Sequence, residues 1–315
     1  MNHRQLGHTD LRIPPLVFGA NVFGWTAGKE TSFALLDRLA EAGLSAIDTA
    51  DVYSNWAPGN RGGESETIIG EWLQKRGKRG STIVITKCGA PSSPLKGLKA
   101  DAIEKSCEAS LKRLKIETID LYLSHFPDSE TPYEETLGAF ERLKKAGKIR
   151  WFGTSNLNAE QLQASLEAAK SSGAPRYEVL QPEYNLYDRA GFDGPLRDLC
   201  MREGIGVITY FSLAKGFLSG KYRGEADLAQ SARGGGVKAY LNPRGFKILA
   251  ALDEIGARLT AKPAEVALAW LIHREGVTAP IASATSLAQL ESLIRATEVE
   301  LSSADAAALD AASAL

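Results

Sequence analysis

Ser45-Ala46-Ile47-Asp48-Thr49-Ala50-Asp51-Val52-Tyr53 decides how this chain of 315 residues is built. It begins as a short apolar strand, and a carboxylate stands where the strand runs out. A tyrosine follows five residues later. Two apolar runs downstream end in the same manner: residues 81–86 stop at Lys87, and residues 119–124 stop at His125. As neighbouring parallel strands, the three runs would bring Asp48, Lys87 and His125 to one rim, with Tyr53 above them.

On either side of this stretch the same unit recurs. Upstream, residues 5–6 and 11–13 flank Gly7-His8-Thr9-Asp10 as a small hairpin. Residues 15–19 read as a buried strand, Phe23-Gly24-Trp25 as an aromatic loop, and 29–42 as an amphipathic helix stopped by Gly43. Helices are expected over 64–75, 99–114 and 132–146. In the second half, strands at 148–155, 178–181 and 206–210 alternate with helices at 159–170 and 195–202. Residues 212–242 form the longest irregular stretch, of the length that lids or disordered segments have. Helices over 243–259 and 263–274, a strand at 278–282, a helix at 287–297 and another after Ser302 complete the chain.

Eight strand-and-helix units with no compositional break predict one domain over 1–315. Its expected fold is a single closed (β/α)8 TIM barrel with an N-terminal hairpin and extra C-terminal helices. The strands are apolar at nearly every position, as parallel strands covered on both faces must be. No Gly-x-Gly-x-x-Gly follows the first strand, which argues against the open dinucleotide-binding sheet.

Composition removes several classes of function. A net charge of −1, with 24% charged and 44% apolar residues, gives no electrostatic case for nucleic acid or an anionic membrane. The three cysteines (Cys88, Cys107, Cys200) make neither a disulfide framework nor a metal cluster, so no metal is expected. No apolar run is long enough to span a bilayer, and residues 1–4 lead into a turn with no apolar leader. A cytoplasmic, reducing location is expected.

Taken singly, a strand-terminal Asp is often a helix cap, and a lone Lys or His is more often structural. Three successive strands ending in an ionisable residue are harder to dismiss. A phenol titrates near about pH 10, too weak an acid to work unaided at neutral pH, and a neighbouring ammonium lowers that value. Lys87 can supply the charge, Asp48 can hold Lys87 in place, and His125 can polarise a carbonyl oxygen. Such a set suits proton delivery to a carbonyl oxygen as hydride reaches its carbon, or the reverse.

At this point the chain resembles the aldo-keto reductase family over nearly its whole length. The motifs are Phe18-Gly19, Asp48-Thr49-Ala50-x-x-Tyr53, Glu64-Ser65-Glu66, Thr86-Lys87, and Ile119-Asp120-Leu121-Tyr122-x-x-His125. Gly147-Lys148-Ile149-Arg150-x-x-Gly153-Thr154-Ser155-Asn156 and Gln181-x-x-Tyr184-Asn185 continue them. The resemblance implies an NAD(P)-dependent oxidoreductase interconverting an aldehyde or ketone with an alcohol. It makes Tyr53 the proton donor, Lys87 and Asp48 its tuning groups, and His125 the carbonyl positioner. It also implies a nicotinamide carboxamide held by Ser155, Asn156 and Gln181, with Tyr210 stacked on the ring. Ser212, Leu213, Lys215, Gly216 and Lys221 would cover the pyrophosphate; for the two lysines a solvated loop face is the plain alternative. Leu213 stands where the family usually has proline.

After the last strand, Ser283, Thr285, Ser286 and Gln289 can hydrogen-bond a ribose or its phosphate. The Lys or Arg that members preferring the 2′-phosphorylated cofactor commonly carry is missing from this segment. NADP(H) and NAD(H) both remain as cofactors. Trp25, Trp56 and Phe126 lie on loops near the rim and suggest an aromatic pocket for a small carbonyl or alcohol, or simple packing. Two other functions compete. Some relatives act as cofactor-binding regulatory subunits of the potassium-channel beta type, and a strand-end lysine can serve a Schiff-base lyase.

Overall fold

A computed structural model describes residues 2–77, 79–231 and 234–314. The first two strands, β1 (Arg4–Gln5) and β2 (Arg12–Ile13), pair antiparallel as the expected hairpin. Eight more form an all-parallel closed barrel. They are β3 (Val17–Gly19), β4 (Ala46–Asp48), β5 (Ile83–Cys88), β6 (Ile119–Ser124), β7 (Ile149–Ser155), β8 (Val179–Gln181), β9 (Gly206–Thr209) and β10 (Ala279–Ala282). Closure is made by β10, which pairs with β9 on one side and β3 on the other. The architecture is the (β/α)8 barrel that the recurring strand-helix unit required.

The helices are α1 (Lys29–Glu41), α2 (Glu64–Arg76), α3 (Ala100–Leu114), α4 (Tyr133–Lys145), α5 (Ala159–Ser172), α6 (Pro195–Glu203), α7 (Pro243–Leu259), α8 (Pro263–His273), α9 (Leu287–Ala296) and α10 (Ser303–Ala312). Their start and stop signals are local. In α3, Ile103, Cys107, Leu111 and Leu114 recur on one buried face, and the helix ends with Lys115 in the left-handed region. Asn158 and Gln161 close a reciprocal capping box at the start of α5. Pro195 opens α6 and Gly204 ends it at φ 64°. Between strands and helices lies one large core.

A second core fills the barrel itself, where Val17, Ala46, Ile85, Leu121, Val179 and Ile208 meet. The hairpin's Leu6, Leu11 and Ile13 belong to the same cluster and are at most 1% exposed. Gly7 lies so close to Glu178 and Gly206 that an added Cβ would come within 2.6 Å of the Glu178 carbonyl oxygen. The hairpin thus closes the end of the barrel where β8 and β9 begin. The opposite end is left for chemistry.

Two details differ from the expectation. The strand expected over 81–86 is β5, and it continues through Lys87 to Cys88, because Lys87 pairs with Leu123 and Cys88 with Ser124 of β6. The stretch 212–242 is more ordered than its composition suggests. It carries three short 3-10 helices, Ala214–Ser219, Glu225–Gln230 and Gly234–Tyr240, with residues 232–233 outside the described set. Phe217, Leu218, Tyr222, Val237 and Tyr240 anchor it to the main core, a spacing too irregular to read as a helix face.

Candidate active site

Side chains alternate along a strand, and that period of two assembles the site. Ala46, Ile85, Val179 and Ile208 point into the barrel core. Two residues further along the same strands stand Asp48, Lys87, Gln181 and Tyr210. Leu123 likewise precedes His125, and Ile281 precedes Ser283. Each inward row therefore runs from apolar packing in the middle of the barrel to a polar group at its C-terminal mouth.

Lys87 is completely buried and its Nζ makes three hydrogen bonds. It donates to Asp48 Oδ2 at 2.8 Å, to the Thr49 carbonyl at 2.7 Å and to the Tyr53 hydroxyl at 2.7 Å. Three acceptors around one nitrogen match the three N–H groups of an ammonium. Burial pulls the Lys87 pKa down from its usual value, and the Asp48 carboxylate opposes that pull. Tyr53 in turn donates to Asp48 Oδ2 at 3.2 Å. Asp48 Oδ1 accepts from Gln181 Nε2 at 2.9 Å, so both carboxylate oxygens are engaged.

His125 lies beside this cluster, its ring edge-on to Tyr53 with centroids 6.0 Å apart. Burial, assisted by the Lys87 charge, holds its pKa well below the ordinary 6.5, so the imidazole is neutral. Its Nδ1 is buried without a partner among the described residues. An unpaired lone pair costs less than an unpaired N–H, which favours the tautomer with the proton on Nε2.

The residues that the family resemblance assigns to the cofactor form a continuous chain of contacts with these four. Ser155 Oγ donates to the Gln181 carbonyl at 2.7 Å, and Asn156 Nδ2 to the His125 carbonyl at 2.8 Å. Tyr210 donates its hydroxyl to Asn156 Oδ1 at 2.7 Å. Asn156 sits at φ 64°, a left-handed conformation that asparagine tolerates better than most residues. Gln181 Oε1 carries no hydrogen bond among the described residues, which suits it to accept one from a carboxamide.

Beyond Tyr210, Phe211, Ala214, Lys215 and Gly216 all have positive φ, between 47° and 104°. The three non-glycine members cost on the order of 1–3 kcal/mol each. Consecutive turns of this hand make backbone concavities that receive anions. Ser212 is buried and donates to the Thr209 carbonyl at 3.1 Å, while Leu213 packs on the main core in place of proline. Lys215 and Lys221 flank this turn, over the rings of Phe211 (5.3 Å) and Tyr222 (4.9 Å). Aromatic ring, amide acceptor and anion cradle together fit a nicotinamide dinucleotide.

Past β10, Ser283 Oγ donates to Asn21 Oδ1 at 2.7 Å. Gln289 folds back over the start of α9, its Oε1 accepting from the Thr285 N–H at 2.8 Å. Two arginines on this side, among the described residues, are already paired: Arg38 with Glu291 at 2.6 Å, and Arg295 with the buried Glu265 at 2.7 Å.

The aromatic loops converge as well. Trp56 is edge-on to both Trp25 (5.8 Å) and Tyr53 (6.0 Å), and Phe126 stacks on His125 at 4.8 Å. Trp56 and Phe126 are 47% and 38% exposed, more than packing residues of their size. Ser54, at φ 75°, ties the Tyr53 turn to the Trp25 loop by donating to the Phe23 carbonyl at 2.6 Å.

Sequence reading missed a layer behind this site. Asp51 and Ser93 meet through a hydrogen bond of 3.1 Å, and the wholly buried Glu66 accepts from Thr86 Oγ1 and Arg113 Nε, each at 2.6 Å. The signal was an acidic residue inside an otherwise apolar helix face at Ile68, Ile69 and Trp72.

Comparison with known proteins agrees with this architecture. A family model described as "Aldo/keto reductase family" matches residues 15–314. The chain is 32% identical to "Uncharacterized oxidoreductase YrpG" of Bacillus subtilis (strain 168), over 96% of this chain and 92% of that protein. It is 29% identical to "Protein tas" of Escherichia coli (strain K12), over 96% and 94%. It is also 32% identical to "Probable voltage-gated potassium channel subunit beta" of Arabidopsis thaliana, over 95% and 92%.

Proposed function

The chain belongs to the aldo/keto reductase family and is an oxidoreductase of that type; from that premise we propose that it interconverts a carbonyl compound and an alcohol, with Tyr53 as the acid and base. The observation that carries this reading is the Lys87 ammonium bonded at once to Asp48 and to the Tyr53 hydroxyl. A phenol with an ammonium against its oxygen loses its proton more readily, and that proton is the one a reduced carbonyl oxygen needs. The family generally uses NAD(P)H, and the bound nicotinamide would supply the hydride.

The residues divide the remaining work. Ser155, Asn156 and Gln181 would hold the carboxamide, Tyr210 would back the ring, and the 211–216 turn with Lys215 and Lys221 would receive the pyrophosphate. His125, neutral and with its proton on Nε2, would donate a hydrogen bond to the substrate oxygen. Tyr53 would hand its proton to that oxygen as charge develops, while Lys87 stabilises the phenolate left behind. Trp25, Trp56 and Phe126 would enclose an apolar substrate body. The test is a panel of aldehydes and ketones with NADPH and NADH, run beside Tyr53→Phe. No turnover above the variant on any substrate would remove the proposal.

A second reading has one observation in its favour, the similarity to a protein named as a potassium-channel beta subunit. In that role the same site would bind cofactor as a regulatory ligand, and tight NADPH binding without turnover would identify it. A Schiff-base lyase fits less well. Lys87 is fully buried and its three N–H groups are all engaged, so no free amine is available.

A further inference from the structure

Behind the site lies a carboxyl group that the proposed chemistry leaves unused. Asp51 follows β4, is 9% exposed, and is tied to the strand carrying Lys87, because its N–H donates to the Lys87 carbonyl at 3.2 Å. Its Oδ2 accepts one hydrogen bond, from Ser93 at 3.1 Å. Its Oδ1 is buried with no hydrogen-bond partner among the described residues. A buried carboxylate normally collects several donors, and an orphaned oxygen of this kind calls for an explanation.

The groups facing Asp51 supply one. They are Lys87 and Cys88 of β5, Tyr122 of β6, Glu66 of α2, Arg113 of α3 and Ser93 of the loop after β5. Among them the charges pair off: Lys87 with Asp48, and Arg113 with Glu66. Asp51 is the odd member, so its protonation decides whether the assembly is neutral or carries one negative charge. Burial, helped by the Glu66 charge, pushes its pKa up to about 7, and its anion supports the Lys87 ammonium.

We propose that Asp51 is a positioning residue that acts on Tyr53 through Lys87. With its proton on, the Lys87 charge is answered by Asp48 alone and falls fully on the Tyr53 hydroxyl. With its proton off, a second negative charge draws on the same ammonium and makes Tyr53 a weaker acid. Carbonyl reduction then slows as the pH rises through the Asp51 transition. The proposal rests on Tyr53 being the acid of the reaction, as argued above.

Asp51→Asn, which keeps the shape and removes the charge, tests it in two ways. One is the tyrosinate absorbance of Tyr53, obtained by subtracting the titration of a Tyr53→Phe counterpart; it requires no substrate. The other is the pH profile of kcat in the reduction direction. In Asp51→Asn, Tyr53 should ionise roughly one pH unit lower, the loss of one unit charge near Lys87. The kcat transition around pH 7 should vanish, with KM unchanged. Ser93→Ala removes the donor that favours the Asp51 anion, so it should move that transition to higher pH; this variant decides the matter if Asp51→Asn does not fold. Titration curves of folded Asp51→Asn that superimpose on the parent, or a downward shift in Ser93→Ala, would overturn the proposal. A wild type with no turnover on any carbonyl would instead sink the oxidoreductase reading, and the tyrosinate titration would still report on Asp51.

Discussion

Lys87 Nζ stands 2.7 Å from the Tyr53 hydroxyl oxygen and 4.4 Å from the centroid of its ring. The ammonium therefore touches the phenol at the atom that gains charge on ionisation. The contact joins β5 to the turn after β4, two places 34 residues apart in sequence. It also makes the two residues separable by experiment, because in the proposed reaction one would deliver a proton and the other would supply only a field.

Tyr53→Phe should lower kcat by about 10²–10⁴-fold, the range for loss of a positioned general acid. The cofactor dissociation constant should stay within twofold of the parent's, roughly, because the lost hydroxyl is bonded to Lys87 and Asp48. Steady-state kinetics and cofactor titration by fluorescence give both values. Loss of cofactor affinity in place of turnover would reassign Tyr53 to binding.

Lys87→Met should abolish turnover and destabilise the fold by about 3–5 kcal/mol, since the buried Asp48 carboxylate loses its counter-ion. Adding Asp48→Asn to it should restore part of that stability, because the amide is neutral, but none of the turnover. Chemical denaturation of the single and double variants reads the first effect and the substrate assay the second. Equal stability of the two would show that an uncompensated Asp48 charge is not what destabilises Lys87→Met.

NADP(H) should bind no more than about tenfold more tightly than NAD(H). One charge-assisted hydrogen bond to a 2′-phosphate is worth about 1.5–3 kcal/mol, which sets the scale. Residues 283–289 contain no cation, and Arg38 and Arg295 are held by Glu291 and Glu265. Ser286→Arg should shift the ratio toward NADP(H), although Ser286 caps α9 and its loss costs about 1 kcal/mol of stability. A parent preference above a hundredfold, measured by calorimetry, would show that another cation does the work.

Acid should destabilise the protein through His125. The folded state holds this histidine neutral well below 6.5, whereas the unfolded chain takes up a proton at its ordinary value. The unfolded state thus binds more protons below pH 6.5, and stability is lost as the pH falls below that point. At pH 5 the loss should reach about 1–2 kcal/mol. His125→Gln, which cannot take up the proton, should melt with a smaller difference between pH 8 and pH 5 than the parent. An unchanged difference would place the acid sensitivity elsewhere.

The barrel was legible because its signals are local. Eight apolar runs alternate with amphipathic segments, and each run is short enough to be a strand and too apolar to face water. The inward row was legible too. Asp48, Lys87, His125 and Gln181 each end an apolar run, and the strand period of two fixes which face they share with Ala46, Ile85, Leu123 and Val179. Distances across the barrel are another matter. That Gln181 reaches Asp48, that Tyr210 reaches Asn156, and that Arg295 is bound to Glu265 depends on how eight strands close into a ring. Hydrogen bonds between residues 54 to 133 positions apart have no local periodicity to announce them. The 212–242 stretch is the same case, since its order comes from Phe217, Tyr222 and Tyr240 entering a core built by other segments. Asp51 shows the division most plainly. By sequence it is one acidic residue in a turn. Only tertiary packing buries it behind Lys87 with one oxygen unpaired among the described residues, and a charge in low dielectric acts on everything near it, whatever lies between them along the chain.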